Sequence, residues 1–155
     1  MERTLVLIKP DGVQRGLVGE ILGRLEHKGL KVVGLRLLWV PRDMAERHYA
    51  IHAGKHFYPE LVEFLTSGPV AAIAVAGLDA VAIVRRLVGA TMPNQAEPGT
   101  IRGDLGVSGL RNLIHASDAP ETADMELALW FDAGSVVDYE RAIDTWVMAD
   151  EPPRG

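Results

Sequence analysis

Three apolar runs of strand length, at residues 4–8, 30–40 and 70–76, alternate with segments whose apolar residues recur every three or four positions. The first run, T-L-V-L-I, stops at Lys9, Pro10, Asp11 and Gly12, a turn sequence following a buried strand. From there Leu17, Ile21 and Leu25, with Val18 and Leu22 alongside, share one face, while Arg15, Glu20, Arg24 and Glu26 take the other. That pattern predicts an amphipathic helix closed near Lys28 and Gly29. Leucine and β-branched residues fill 30–40, the second strand. Asp43 is expected to cap a helix reaching about Ala50, and a short helix to begin near Tyr58 and Pro59. After Ser67, Gly68 and Pro69 comes the third strand, and Asp79 is expected to cap a helix with Val81, Val84 and Val88 on one face.

Past a further strand, a helix is expected over residues 121–130, then a partly helical tail that frays at 151–155. The order is close to β-α-β-β-α-β with helical insertions, which implies an α+β, ferredoxin-like antiparallel sheet covered by helices. The 155 residues suit one domain with a real hydrophobic core, and no repeat or linker divides 1–155. With 48% hydrophobic and 24% charged residues, the chain reads as globular and not disordered. A net charge of -5 argues against a broad nucleic-acid surface while leaving room for a local basic pocket. Without cysteine, disulfides, thiolate metal sites and thiol nucleophiles are excluded. No run approaches the roughly 18 apolar residues of a membrane span, so the expected location is cytoplasmic, away from membranes.

The segment 92–109 has no sustained periodicity and carries Pro93, Pro98, Gly99, Gly103, Gly106 and Gly109. A loop of this length inside a compact domain is expected to be functional, the more so because it holds Arg102 and Asp104 and leads to His115. Neither a G-x-x-x-x-G-K-[ST] phosphate loop nor a G-x-G-x-x-G after the first strand is present. His48 and His52 are spaced to share a helix face, but lack the carboxylate pattern of a zinc motif, and read as solvated or partly packed.

His115 is the stronger candidate. A neutral imidazole attacks phosphorus without a separate base, provided its proton is held on the other nitrogen. Glu121, Asp124 or Glu126 on the following helix can hold it, and Arg102, Arg85 and Lys9 can supply the cations phosphoryl transfer needs. On spacing alone, a lone histidine after Leu113 and Ile114 is more often a hydrogen-bonded structural residue than a catalyst, and Lys9 to Gly12 more often an ordinary turn.

Five ordered motifs go further: T-L-V-L-I-K-P-D-G-V-Q-R-G-L-V-G-E-I from Thr4, H-Y-A from His48, T-S-G-P-V from Thr66, P-G-T-I-R-G-D from Pro98 and R-N-L-I-H-A-S-D from Arg111. Together they closely resemble the nucleoside diphosphate kinase family in one register from about Thr4 to Phe131. The resemblance implies transfer of the terminal phosphate of a nucleoside triphosphate, commonly ATP, to a nucleoside diphosphate. The route it implies is ping-pong, through a phosphohistidine with Mg²⁺, in a homo-oligomer that is a tetramer or a hexamer.

Carried over by position, the resemblance gives the catalytic work to His115, Glu126, Lys9, Tyr49 and Ser117. Glu126 would hold the second ring nitrogen with Ser117 beside it, and Tyr49 would support the histidine and the phosphate. Lys9, Arg85, Thr91, Arg102 and Asn112 match positions that bind phosphates or sugar hydroxyls, with Lys9 and Arg102 expected to find their partners on the nucleotide. Phe57 would stack on the base with Leu61 beside it. No direct protein ligand for Mg²⁺ is implied, although Asp118 can reach it through water. Nucleic acid is not an expected partner. The alternative, a ferredoxin-like binding or regulatory module that senses nucleotides without turnover, would lose the nucleophile or its carboxylate, and both are present. The chain leaves the family pattern at Gly109-Leu110, which affects expected base contacts, at Ala116, and in the tail at Trp146-Val147-Met148-Ala149.

Overall fold

The computed structural model describes residues 1–149. Four strands form one sheet: β1 (Glu2–Ile8), β2 (Lys31–Trp39), β3 (Pro69–Gly77) and β4 (Ile114–Ala116), in the order β2-β3-β1-β4 with every pairing antiparallel. This is the expected ferredoxin-like arrangement. Between the strands lie α1 (Pro10–Gln14), α2 (Val18–His27), α3 (Arg42–His48), α4 (Tyr58–Leu65), α5 (Ala80–Val88) and α6 (Ile101–Leu105); α7 (Pro120–Trp130) and α8 (Asp144–Val147) follow β4.

The unbroken apolar run of β1 has a direct cause. Val6 and Ile8 join Ile21, Leu25, Ile73, Val84 and Val88 in a core under α2 and α5. Leu5 and Leu7 point the other way, to a second core with Val62, Leu65, Trp130 and Phe131. A central strand covered on both faces needs no polar alternation, even in an antiparallel sheet. The same alternation acts on β4: Ile114 and Ala116 enter the first core, so His115 between them, opposite Leu7, faces the layer that holds Trp130.

Several local expectations are corrected. Lys9 to Gly12 is not a plain turn, because Pro10 opens the one-turn helix α1, where its fixed φ is favourable. Asp43 does not cap α3: Pro41 is the N-cap, and Asp43 sits in the first turn, where the helix dipole favours a carboxylate. That helix ends at His48 instead of Ala50, and a 3-10 turn over Ala50–His52 follows. His48 and His52 therefore lie on different elements. Asp79 occupies the N-cap of α5 in a left-handed conformation, but Oε1 of Glu2 accepts the Val81 N–H at 2.7 Å in place of a side-chain cap.

The 92–109 segment is not irregular throughout. It contains a 3-10 turn at Pro93–Gln95 and α6, whose N-cap Thr100 accepts the Gly103 N–H on Oγ1 at 3.0 Å. Five residues are too few to register a helical period. Arg24 of α2 fastens this segment through Asp104, at 2.8 Å, and the Gly99 carbonyl, at 3.3 Å. After α7 the tail folds back on the start of β2, with Val137 N–H on the Val33 carbonyl at 2.7 Å and Arg141 on the carbonyls of Gly29 and Leu30. The expected fraying at residues 151–155 lies outside the described residues.

Candidate active site

β4 is preceded by a strained turn. Leu113, fully buried, has a φ of 71°, and the Ile114 N–H bonds back to the Asn112 carbonyl at 2.8 Å, closing a three-residue turn. Such a conformation costs on the order of 1–3 kcal/mol in a non-glycine residue and persists only when its surroundings impose it. Here they do. Oδ2 of Asp11 accepts the Leu113 N–H at 3.0 Å, and the Leu113 carbonyl accepts the Lys9 N–H at 2.8 Å. Gly12 leaves room for this crossing, since a Cβ there would lie 2.6 Å from Cγ2 of Ile8. The K-P-D-G sequence after β1 thus pins the segment that carries His115.

Nε2 of His115 meets both oxygens of Glu126, at 2.9 and 3.1 Å, and Ser117 donates to Oε1 of the same carboxylate at 2.6 Å. Burial would raise the Glu126 pKa, but the hydrogen bond and charge of His115, the Ser117 hydroxyl and nearby His48 outweigh it and hold the carboxyl below its usual range. Glu126 is therefore an acceptor at neutral pH. A neutral His115 then carries its proton on Nε2 and its lone pair on Nδ1, to which no described residue hydrogen-bonds. Of the three carboxylates open on sequence, Glu126 is the one that faces inward; Glu121 and Asp124 are exposed.

His48 is a residue whose place sequence reasoning missed. Its side chain is only 1% exposed, more fully packed than the solvated or partly packed histidine expected, and its ring lies edge-on to His115 with centroids 4.6 Å apart. Trp130 donates its indole N–H to Nδ1 of His48 at 3.1 Å. The 3.5 Å approach of that nitrogen to Glu126 is not an ion pair, because an atom receiving the indole proton has no proton of its own to give. Burial first, then the positive charge of His115, Lys9 and His52 against the pull of Glu126, lowers the His48 pKa to about 3. The ligand atoms of His48, His115 and Glu126 lie within 4.8 Å of one another, yet Trp130, Ser117 and His115 itself already engage the lone pairs a metal would need. No signal in H-Y-A spacing marks a buried polar ring; only the fold reveals it.

His115 opens on a cleft of about 510 Å³, lined also by Lys9, Tyr49, Leu61, Arg85, Thr91, Arg102, Asn112, Asp118 and Glu126. Nine of the eleven expected site residues thus converge there, and Ser117 touches the site through Glu126. Phe57 does not line the cleft; its half-buried ring meets His52, which does, at 5.3 Å. Tyr49 packs edge-on to His48 at 4.8 Å, and burial, then Glu126, pushes its phenol up to about 12. Arg111 lies outside the cleft, stacked over Phe64 at 4.3 Å.

The cations differ in their freedom. Arg102 is 4% exposed and donates to the carbonyls of Asn112 at 3.1 Å, Gly89 at 3.3 Å and Ile114 at 2.5 Å. The expectation that its partners are on a nucleotide is thus incomplete: three of its five N–H groups hold backbone carbonyls, two of them flanking Leu113 and one at the end of α5. Burial, then the Arg85 charge, lowers its pKa to about 10, offset by Asp11, so it stays cationic at neutral pH. Burial and the Arg102 charge bring Lys9 to about 8, with Asp11 opposing. Arg85 makes one bond of 3.3 Å to the Ala116 carbonyl. Asn112 donates to the Thr91 carbonyl at 3.2 Å, while its buried Oδ1 has no partner among the described residues. At the departures from the family pattern, Met92 covers the space a Gly109 Cβ would take, at 2.7 Å, and Leu110 is exposed. Neither residue 109 nor 110 lines the cleft, and Ala116 is ordinary strand with φ below zero.

The family model described as nucleoside diphosphate kinase matches residues 2–136. A protein of that name from Archaeoglobus fulgidus is 55% identical over 150 residues, 97% of this chain and 99% of its own. One from Thermomicrobium roseum is 57% identical over 148 residues, 96% and 99% of the two chains. Among solved structures, a halophilic nucleoside diphosphate kinase from Halobacterium salinarum in complex with CDP superposes with a TM-score of 0.93 at 50% identity, covering 95% of this chain and 98% of that one. A family protein from Babesia bovis gives 0.93 at 44% identity over 96% and 100%.

Proposed function

Because the chain belongs to the nucleoside diphosphate kinase family of nucleotide phosphotransferases, we propose that it passes the terminal phosphate of a nucleoside triphosphate, commonly ATP, to a nucleoside diphosphate through a phosphohistidine on His115. The observation that carries this reading is the tethering of Nε2 to Glu126, which leaves the Nδ1 lone pair without a described partner on a histidine that lines a cleft with Lys9, Arg85 and Arg102. Nδ1 attacks the γ-phosphorus, an N–P bond forms, and the bond from phosphorus to the β-γ bridging oxygen breaks, releasing the diphosphate. The Nε2 proton stays in place, and Glu126 balances the positive charge the ring acquires. In the second half an oxygen of the acceptor's β-phosphate attacks the phosphorus, and the N–P electron pair returns to Nδ1. The cycle is therefore ping-pong.

Lys9, Arg85 and Arg102 bind the phosphates, Asn112 and Thr91 bind phosphate or sugar hydroxyls, and Tyr49 supports the histidine and phosphate. Phe57 and Leu61 flank the base, and stacking tolerates any base because each has a π-face. Mg²⁺ fits as a ligand of phosphate oxygens and water, with exposed Asp118 on the cleft wall able to receive one of those waters. When bound, it draws off charge from the phosphoryl oxygens.

The chain works as a single domain in a cytoplasmic homo-oligomer, tetrameric or hexameric; among the described residues no helix is long and apolar enough to cross a membrane. Support for self-association comes from β2, an edge strand with Leu35 56%, Leu37 67% and Trp39 66% exposed in one row. The reaction is tested with γ-labelled ATP and Mg²⁺: an acid-labile, base-stable protein label is expected, discharged by any nucleoside diphosphate and absent in His115→Ala. A label retained in that variant overturns the assignment of the nucleophile.

A further inference from the structure

Trp130 is fully buried, and its indole N–H is spent on a single acceptor, Nδ1 of His48. An indole nitrogen can only donate, so that Nδ1 carries a lone pair and neutral His48 keeps its proton on Nε2. The same Nδ1 lies 3.5 Å from Oε2 of Glu126, the oxygen that His115 Nε2 meets at 2.9 Å. A proton on Nδ1 of His48 would therefore aim a second donor at the carboxylate that orients His115. It would also set a cation edge-on to the His115 ring, where charge accumulates as the N–P bond forms.

We propose that Trp130, acting through His48, is a positioning residue for phosphoryl transfer: its N–H occupies the one nitrogen through which His48 could protonate and draw Glu126 away from His115. The inference rests on the reading of His115 as the phosphorylated residue. Five titratable groups face His48: His115 from β4, Glu126 from α7, Lys9 at the end of β1, His52 from the 3-10 turn, and Tyr49, whose phenol, pushed up to about 12, stays neutral. Only Glu126 favours a charged His48, and it is the group whose attention the indole keeps for His115. Burial acts in the same direction as the indole, so the two together keep the ring neutral where a free histidine would titrate.

The test has two arms. Long-range ¹H–¹⁵N NMR of the wild-type chain should find His48 as the Nε2–H tautomer, unprotonated from about pH 8 down to about pH 5, well below the ordinary histidine range. In Trp130→Phe, which keeps an aromatic ring in the core, His48 should titrate higher by about two units, as it loses a donor to its neutral form and gains Glu126 as a partner. The rate of phosphoenzyme formation in that variant should fall on the acid side of the profile and change little at pH 8. Adding Trp130→Phe to His48→Asn should leave the profile of His48→Asn unmoved. A wild-type His48 with its proton on Nδ1, or titrating between about pH 5 and 8, overturns the proposal even if no variant folds. So does a rate loss in Trp130→Phe that is uniform with pH. Absence of any phosphoenzyme in the wild type would instead sink the phosphohistidine reading and leave the tautomer result standing on its own.

Discussion

On the α7 side of His115, Glu126 holds Nε2 and accepts from Ser117, and beside them Trp130 donates to His48, whose ring packs edge-on to His115. On the opposite side, Lys9, Arg85, Arg102 and Asn112 line an open cleft, and the buried Oδ1 atoms of Asn112 and of nearby Asp11 have no partner among the described residues. The first side is complete without a ligand. The second brings several positive charges together at a cost that burial and mutual repulsion make visible in the lowered pKa values of Lys9 and Arg102. Holding the nucleophile and receiving the phosphates are thus separate tasks given to separate elements, and substitutions on the two sides should fail in different ways.

The largest effect is expected on the closed side. Glu126→Ala removes the carboxylate that holds Nε2 and should slow phosphoenzyme formation by about 100-fold while nucleotide affinity changes little. Single-turnover rates and equilibrium binding separate the two, and an equal loss of affinity would erase the distinction between the sides.

Arg102→Ala comes next and should show a mixed phenotype. It uncovers the two buried carbonyls that flank the strained Leu113 turn and the part-buried carbonyl of Gly89, so a stability loss of about 2–4 kcal/mol should accompany weaker nucleotide binding. Denaturant unfolding measures the first. Unchanged stability would mean that those carbonyls find other partners and that Arg102 belongs wholly to the cleft.

The smallest effect is a pH dependence. With its pKa near 8, Lys9 loses its charge as pH rises through that value, so kcat/KM for the free enzyme should decline several-fold above about pH 8 and that limb should vanish in Lys9→Met. Stability should move oppositely. The unfolded chain binds more protons than the folded one between about 8 and 10.5, so the penalty of burying charged Lys9 is present below that window and is relieved across it.

Much of this architecture was legible. Residues 4–8 read as a buried strand because a strand covered on both faces leaves an unbroken apolar run, and the family resemblance grouped His115 with Lys9, Arg85 and Arg102, which line one cleft with it. Glu126 stayed one of three carboxylates until the family resemblance singled it out, because helix phase is decided by packing. α6 was hidden by its length. The Leu113 turn had no signal, since a leucine at positive φ contradicts its own preference and is imposed by Asp11, Lys9 and Arg102 from elsewhere in the chain. His48 and Trp130 were hidden for a related reason: their pairing spans 82 residues and belongs to the fold, not to any local pattern.

The division of His115 into a held nitrogen and a reacting one is tested most directly by identifying which nitrogen carries the phosphate. Heteronuclear NMR of the ¹⁵N-histidine-labelled phosphoenzyme should find the N–P bond at Nδ1 of His115, with Nε2 still protonated and bonded to Glu126. Phosphorus on Nε2, or on any other residue, would contradict it.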